Sequence, residues 1–323
     1  MLSKKLIMNK NILLWIFTII SIVLVYNYFG NNSDLLFKLK DTPQETNKKS
    51  QKNKSKIITT KLHYFDARNV KTVLKEFDKY DYNLKNNSIP RIQPNKIPND
   101  LKNIKDIKLK KNIFIKLMLP MVIDINQNIN MKKELLINIQ KKYRIGKKLS
   151  FNDINKLKHF GLEFNVKYNQ DKIPEMLKQL NIKIQPIPIS LVLAQAIVES
   201  GWGTSRFAII GNALFGQWTF NKTTKNALLP INRDDGKTHS IKSFSSPYQS
   251  MKAYMTNLNR NNAYNELRRI RYSLIKLSKP ISSIKLANGL TNYSQEREVY
   301  VKKIKSIIKN NELTRYDNYK LQE

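Results

Sequence analysis

Residues 191–218 read LVLAQAIVESGWGTSRFAIIGNALFGQW, and the reading of the fold turns on the first half of that run. LVLAQAIVES is an apolar helix opened by Pro188 and Ser190, with Ser190 as its expected N-cap and Gly201 as its stop. Within LVLAQAIVESGWGTSRF, Glu199 is the one acidic residue, and it falls in the last helical turn beside a Gly-Trp-Gly turn. Desolvation beside the Trp202 indole and the negative end of the helix dipole both disfavour its carboxylate. A carboxyl raised in this way can serve as a general acid. Gly201 and Gly203 permit a sharp turn and close approach of backbone to a ligand. Two plainer readings stand beside these: Trp202 as core packing, and Glu199 as a helix-end carboxylate in an ordinary ion pair with Arg206.

Outward from this run, FSSPYQSMKAYMTNLN (244–259) reads as a capped amphipathic helix and NYSQEREVYVKKIKSIIKNN (292–311) as another. INRDDGKTHSIKSF (231–244) carries the turn signal Asp-Asp-Gly between strand-like arms, a small β-hairpin. Toward the amino terminus, residues 61–172 alternate helical patterns with polar breaks and form a helical accessory region. IFIKLMLPMVIDINQNI (113–129) has an apolar face with Pro120 inside it, and MKKELLINIQKKY (131–143) repeats at helical spacing. NNSIPRIQPNKIPND (86–100), with three prolines, is expected to be an extended loop.

The 323 residues carry a net charge of +34, from 58 Lys and Arg against 24 Asp and Glu. Such a field favours a polyanionic partner. Lys rises together with Asn and Ile, as AT-rich codons would dictate, so part of the charge is compositional; anionic envelope polymers are the expected attraction, and nucleic acid is not, because the topology below exports the body of the chain. With no cysteine, disulfides, thiolate nucleophiles and Cys-ligated metals are excluded. His63, His159 and His239 are too scattered to suggest a metal site, and no cofactor is implied.

Ile12–Phe29, ILLWIFTIISIVLVYNYF, is uncharged and long enough to span a bilayer. Lys4, Lys5 and Lys10 precede it, which keeps residues 1–11 cytoplasmic and exports the rest. Without a small-x-small cleavage signature, residues 12–29 read as an uncleaved transmembrane signal anchor, a cleaved signal sequence being the alternative. Residues 30–60 then form a flexible Lys-rich tether, and the body sits in the periplasm or cell wall on a single-pass inner-membrane protein.

The pattern LAQA-x-x-ESGWGTSRFA-x-x-GN-x-LFGQW, matched from Leu193 to Trp218, resembles the glucosaminidase domain of glycoside hydrolase family 73 in its bacterial Bax-type form. YFDARNVKTVLKEF, KKNIFIKLMLPMVIDIN and LTNYSQEREVYVKKIKSII are similar to other parts of those proteins, so the resemblance covers roughly residues 61–312. It implies a mainly α, α+β architecture: a lysozyme-like helical glucosaminidase domain over 173–312 with a small β-hairpin, then a tail at 313–323. The implied activity is an endo-β-N-acetylglucosaminidase cutting peptidoglycan glycan strands after N-acetylglucosamine. By motif position Glu199 would be the general acid. Asn212, Phe215 and Gly216 would line the cleft with Ser200, Trp202, Gly203, Ser205, Gln217 and Trp218.

Tyr293 and Tyr300 match paired late tyrosines; Tyr293 would face the reacting sugar, while Tyr300 is either a substrate contact or core packing. Asp234 and Asp235 are the candidates for a second carboxylate, with solvated turn residues as the alternative, and substrate assistance would need neither. Glu266, Glu296 and Glu298 are expected to be surface helix charges. Two other functions remain open: a lytic transglycosylase, which uses one helix-end Glu without consuming water, and a non-catalytic glycan-binding module.

Overall fold

The computed structural model describes residues 61–219, 227–228 and 240–323. The anchor at 12–29, the tether at 30–60, Asp234 and Asp235 lie outside them. Among the described residues no helix is long and apolar enough to cross a membrane. The architecture is mainly helical with short strands, and its centre is the LVLAQAIVES helix.

Short strand β1 (His63–Phe65) leads into α1 (Val70–Lys79), which opens on a capping box between Asn69 and Thr72. The proline-rich 86–100 stretch is extended as expected, but it is not merely a loop. It contributes β2 (Ser88–Ile89) and β3 (Ile92–Pro94), and β3 pairs in parallel with β1. Helix α2 (Ile107–Arg144) joins the two apolar stretches 113–129 and 131–143 in one element of 38 residues. Its length is roughly 57 Å. No glycine or proline separates the two stretches, and Asp106 caps the start by accepting from the Lys108 and Leu109 N–H groups. Pro120 is buried inside it.

Helix α3 (Phe151–Phe164) starts with a Ser150–Asp153 capping box. Lys142 donates to both Asp153 oxygens at 2.9 Å, and this contact, with Ser150, holds the carboxyl at about 2. Helix α4 (Ile173–Lys183) leads by a short extended link into α5 (Ile189–Ser200), the quoted helix. Arg271, fully buried, donates to the Ile182, Gln185 and Pro186 carbonyls, so it secures the end of α4 and the link. Burial pushes its pKa down to about 9.

Ile189 through Ile197 are all buried, as an all-round apolar helix must be. The sequence placed Ser190 as the N-cap of α5; instead the N-cap position falls two residues earlier, at Pro188, and Ser190 lies in the first turn. The Ser190 N–H and hydroxyl both donate to Asp317, each at 2.8 Å. A side chain 127 positions away therefore supplies the cap that local sequence did not.

Helix α6 (Arg206–Gly211) follows, and then β4 (Trp218–Thr219), β5 (Ala227–Leu228) and β6 (Ser240–Lys242), with β6 antiparallel to both others. Of the hairpin expected at 231–244, the second arm is β6 in this three-stranded sheet, while the first arm and the Asp-Asp-Gly turn lie outside the described residues. Helices α7 (Pro247–Arg260), α8 (Asn265–Lys276), α9 (Ser283–Leu286) and α10 (Glu298–Asn310) complete the helical set. Helix α10 begins six residues later than the sequence pattern suggested, which leaves Tyr293 and Glu296 in the preceding turns.

One hydrophobic cluster runs from Leu62 to Leu321, so residues 61–172 and 173–312 share a core. Residues 313–323 are packed against the body and are no free tail. Strand β7 (Lys320–Leu321) pairs in parallel with β2, the Tyr319 hydroxyl donates to the Leu84 carbonyl, and Arg91 donates to that of Gln322.

Candidate active site

Gly201 ends α5 in the left-handed region at φ 57°, and Trp202 and Gly203 follow at 60° and 76°. Three such residues in a row reverse the chain within one turn. Ser200 accepts from the Gly203 N–H and donates to the Ala196 carbonyl, while Ser205 caps α6. The Trp202 ring stands edge-on to Phe114 of α2 at 5.8 Å, with the Lys111 ammonium 4.9 Å from its centre. A Cβ at Gly203 would meet the Phe114 ring at 3.0 Å. Ser200, Trp202, Gly203 and Ser205, expected to line a glycan cleft, thus build the turn and seat it on α2.

Glu199 projects the other way. Its Oε1 accepts a 2.7 Å hydrogen bond from the Tyr300 hydroxyl. That hydroxyl accepts in turn from the Gln195 amide at 3.0 Å, and the Gln195 carbonyl oxygen accepts from the Tyr254 hydroxyl. Gln195 lies one helical turn before Glu199, so both project from the same side of α5. Behind the carboxyl there is therefore a buried chain of donors, Tyr254 to Gln195 to Tyr300 to Glu199. Tyr300 does pack on the apolar face of α10, but its hydroxyl ends on the acid. The expected desolvating partner, Trp202, is replaced by tyrosines.

Phe215 stacks on Tyr254 with centroids 3.8 Å apart, and Tyr293 stacks on Tyr300 at 5.2 Å. The Tyr293 hydroxyl donates to the Phe215 carbonyl at 3.0 Å and so pins the segment carrying Gly216. Gly216 has φ 57°, and a Cβ there would stand 3.8 Å from Glu199 Oε2. Asn212 caps α6 in the left-handed region and donates to the Phe244 carbonyl, which sets the same loop from below.

Burial raises the Glu199 pKa, and the nearby Glu296 raises it further. The Tyr300 hydrogen bond and Lys303 act in the opposite direction. Among the described residues Oε2 has no hydrogen-bond partner. It faces a cleft of about 1420 Å³ whose walls include Phe215, Gly216, Gln217, Tyr254, Tyr264 and Tyr293.

Of the residues singled out from sequence, the cleft thus brings together Glu199, Phe215, Gly216, Gln217 and Tyr293, with Tyr300 directly behind. The Trp218 side chain, Asp234 and Asp235 lie outside the described residues. Glu266 is an exposed partner of Arg269. Glu296, expected on a helix surface, precedes α10 and lines the cleft. Gln195, Tyr254, Tyr264 and the exposed side of α7 were not anticipated. A glutamine one turn before the acid was the available signal for the first of these. Among the described residues, no cluster of His, Asp or Glu is arranged to hold a metal.

Comparison with known proteins places a glucosaminidase family, described as mannosyl-glycoprotein endo-β-N-acetylglucosaminidase, on residues 174–313. The protein is also similar to protein bax of Escherichia coli (strain K12), 31% identical over 195 residues. That alignment covers 59% of this chain and 66% of the relative, just under two thirds of its length. No solved structure matches.

Proposed function

We propose that this protein, which matches the glucosaminidase family over residues 174–313 and is similar to protein bax, hydrolyses the glycan strand of peptidoglycan after N-acetylglucosamine, with Glu199 as general acid. The observation that carries this reading is the asymmetry of one carboxyl. Oε1 is engaged by a hydroxyl that already accepts from Gln195, so the proton of the neutral acid resides on Oε2, the oxygen facing the cleft. In the reaction Oε2 passes that proton to the glycosidic oxygen as the bond from C1 breaks. Water then adds to C1 and gives up a proton, leaving a reducing N-acetylglucosamine end.

Tyr293 lines the wall where the reacting sugar would lie, although its hydroxyl is spent on Phe215. Its contribution is therefore to position the Gly216 segment. The group that assists the water is Asp234, Asp235 or the 2-acetamido oxygen of the substrate itself. The mainly helical architecture is consistent with the lysozyme-like plan. The uncharged run at 12–29 and the basic residues before it support a single-pass anchor, with 30–60 as tether and the body acting on the wall outside the membrane.

Mass spectrometry of the products from purified peptidoglycan tests this. Hydrolysis gives fragments ending in reducing N-acetylglucosamine. Anhydro-muramyl ends, lighter by one water, would assign the protein to the lytic transglycosylases instead. No cleavage, with sedimentation on the wall retained, would leave a binding module.

A further inference from the structure

Helix α7 presents two faces to the site. The buried face carries Tyr254, which begins the donor chain to Glu199. The other face contributes Gln249, Lys252, Ala253, Thr256, Asn257 and Arg260 to the cleft wall. Their spacings of 3, 1, 3, 1 and 3 residues make a single stripe along the helix. It contains two cations and no acid, with Lys252 and Arg260 separated by roughly 12 Å along the axis. Both are exposed, and among the described residues neither forms an ion pair.

Positive potential is concentrated here. Lys183 donates to the Arg260 carbonyl, and its own pKa is lowered by burial and then by Arg268 and Arg260. Lys252 acts at a distance on Asp124, but that carboxylate is already occupied by Tyr248 and Asn128. Lys242, on β6, adds a third cation to the cleft wall. Three carboxylates also line the cleft: Glu163 is bound to Lys132, Glu199 is held by Tyr300, and Glu296 acts on Glu199 and, among the described residues, forms no ion pair with Lys252 or Arg260. Like charges gathered with no ion-paired partner favour an anionic ligand.

Resting on the glycan-cleaving reading, we infer that Lys252 and Arg260 on α7 form a subsite for carboxylates carried by the glycan strand. The enzyme thereby prefers acid-substituted over neutral N-acetylglucosamine polymers. Two sources could supply that carboxylate in peptidoglycan: the stem peptide, or the lactyl group of a sugar whose peptide has been removed, since that carboxyl is an amide while it bears the peptide.

The test compares wild type, the Lys252→Gln/Arg260→Gln double variant and a Lys147→Gln/Lys148→Gln control. The control removes the same charge from an exposed turn that does not line the cleft. Three ligands are used: peptide-bearing glycan, glycan stripped of its peptides to leave lactyl carboxylates, and neutral β-1,4-linked N-acetylglucosamine oligomers. The α7 variant is expected to raise KM for peptide-bearing glycan about tenfold with kcat little changed, while binding of the neutral oligomers stays the same. A tenfold loss that persists on stripped glycan shows that the subsite also takes the freed lactyl carboxylate; one that disappears assigns the peptide alone. An equal loss on all three ligands, no loss, or the same loss in the control overturns the subsite. Binding measured in the Glu199→Gln background reads the subsite without turnover, so a protein that cleaves none of the three defeats the hydrolase reading and leaves this one separately decided.

Discussion

The two ends of α5 each hold a carboxyl whose pKa is raised by burial, and they do opposite things. At the amino end Asp317 accepts from both the Ser190 N–H and its hydroxyl, and both of its oxygens are engaged. At the carboxyl end Glu199 has one oxygen held by Tyr300 and the other open to the cleft. A raised pKa therefore does not by itself mark the chemical residue, because burial raises it at both ends. What separates them is satisfaction: the fully partnered acid stabilises the helix, and the half-partnered one keeps a proton to give.

The sharpest way to break that contrast is to remove each acid in turn. Glu199→Gln should reduce release of reducing ends by roughly a thousandfold, with the melting temperature almost unchanged and sedimentation on peptidoglycan retained. Asp317→Ala should do the reverse. It should cost about 2 kcal/mol by freeing the buried Ser190 donors, while kcat per folded molecule stays near wild type. Urea unfolding alongside the product assay checks both, and a large stability loss in Glu199→Gln would erase the distinction.

Next in size is the donor behind the acid. Tyr300→Phe removes the bond that favours the charged form of Glu199, so the carboxyl's pKa should rise. Since Glu199 must be protonated to act, activity falls as pH rises through that pKa, and the alkaline limb of the kcat/KM profile should move to higher pH. The rate at the optimum should drop about tenfold as the carboxyl loses its fixed orientation. A limb moving to lower pH would contradict the assigned direction of the hydrogen bond.

Gly216→Ala places a Cβ beside Oε2 on a left-handed backbone. It should cost about 1 kcal/mol in stability and several-fold in kcat/KM, a loss larger than that from any equally destabilising substitution away from the cleft.

The smallest effects come from distant charges, and their signs are opposed. Lys303→Gln should move the alkaline limb upward and Glu296→Gln should move it downward, each by a fraction of a pH unit that shrinks with added salt. Shifts in the same direction would show that net charge, and not position, was being read.

Much of the carboxyl end of α5 was legible in the sequence, because its determinants are local: an apolar helix, a lone acid in the last turn, and a Gly-Trp-Gly stop. The amino end was not, since its cap arrives from Asp317. Of the two readings of Trp202, its contacts match core packing, and the partner was not legible for a related reason. Its left-handed backbone turns the ring onto Phe114, and only the path of α2 puts Phe114 there. Glu296 was assigned to a helix surface because charge patterning extends upstream of Glu298, whereas the helix itself begins later. The donor chain joins α5, α7 and α10 through Gln195, Tyr254 and Tyr300, and no spacing in the chain connects those three.

What sequence alone determined is the set of features whose physics closes within a few residues. These are the helix periods, the glycines at positive φ, the absence of thiol chemistry, and the acid at the end of an apolar helix. Tertiary structure decided which groups share a hydrogen bond and which face water. Those depend on side chains separated by about a hundred positions meeting in one core, and the free energy of a buried polar group is set by the partner it meets there.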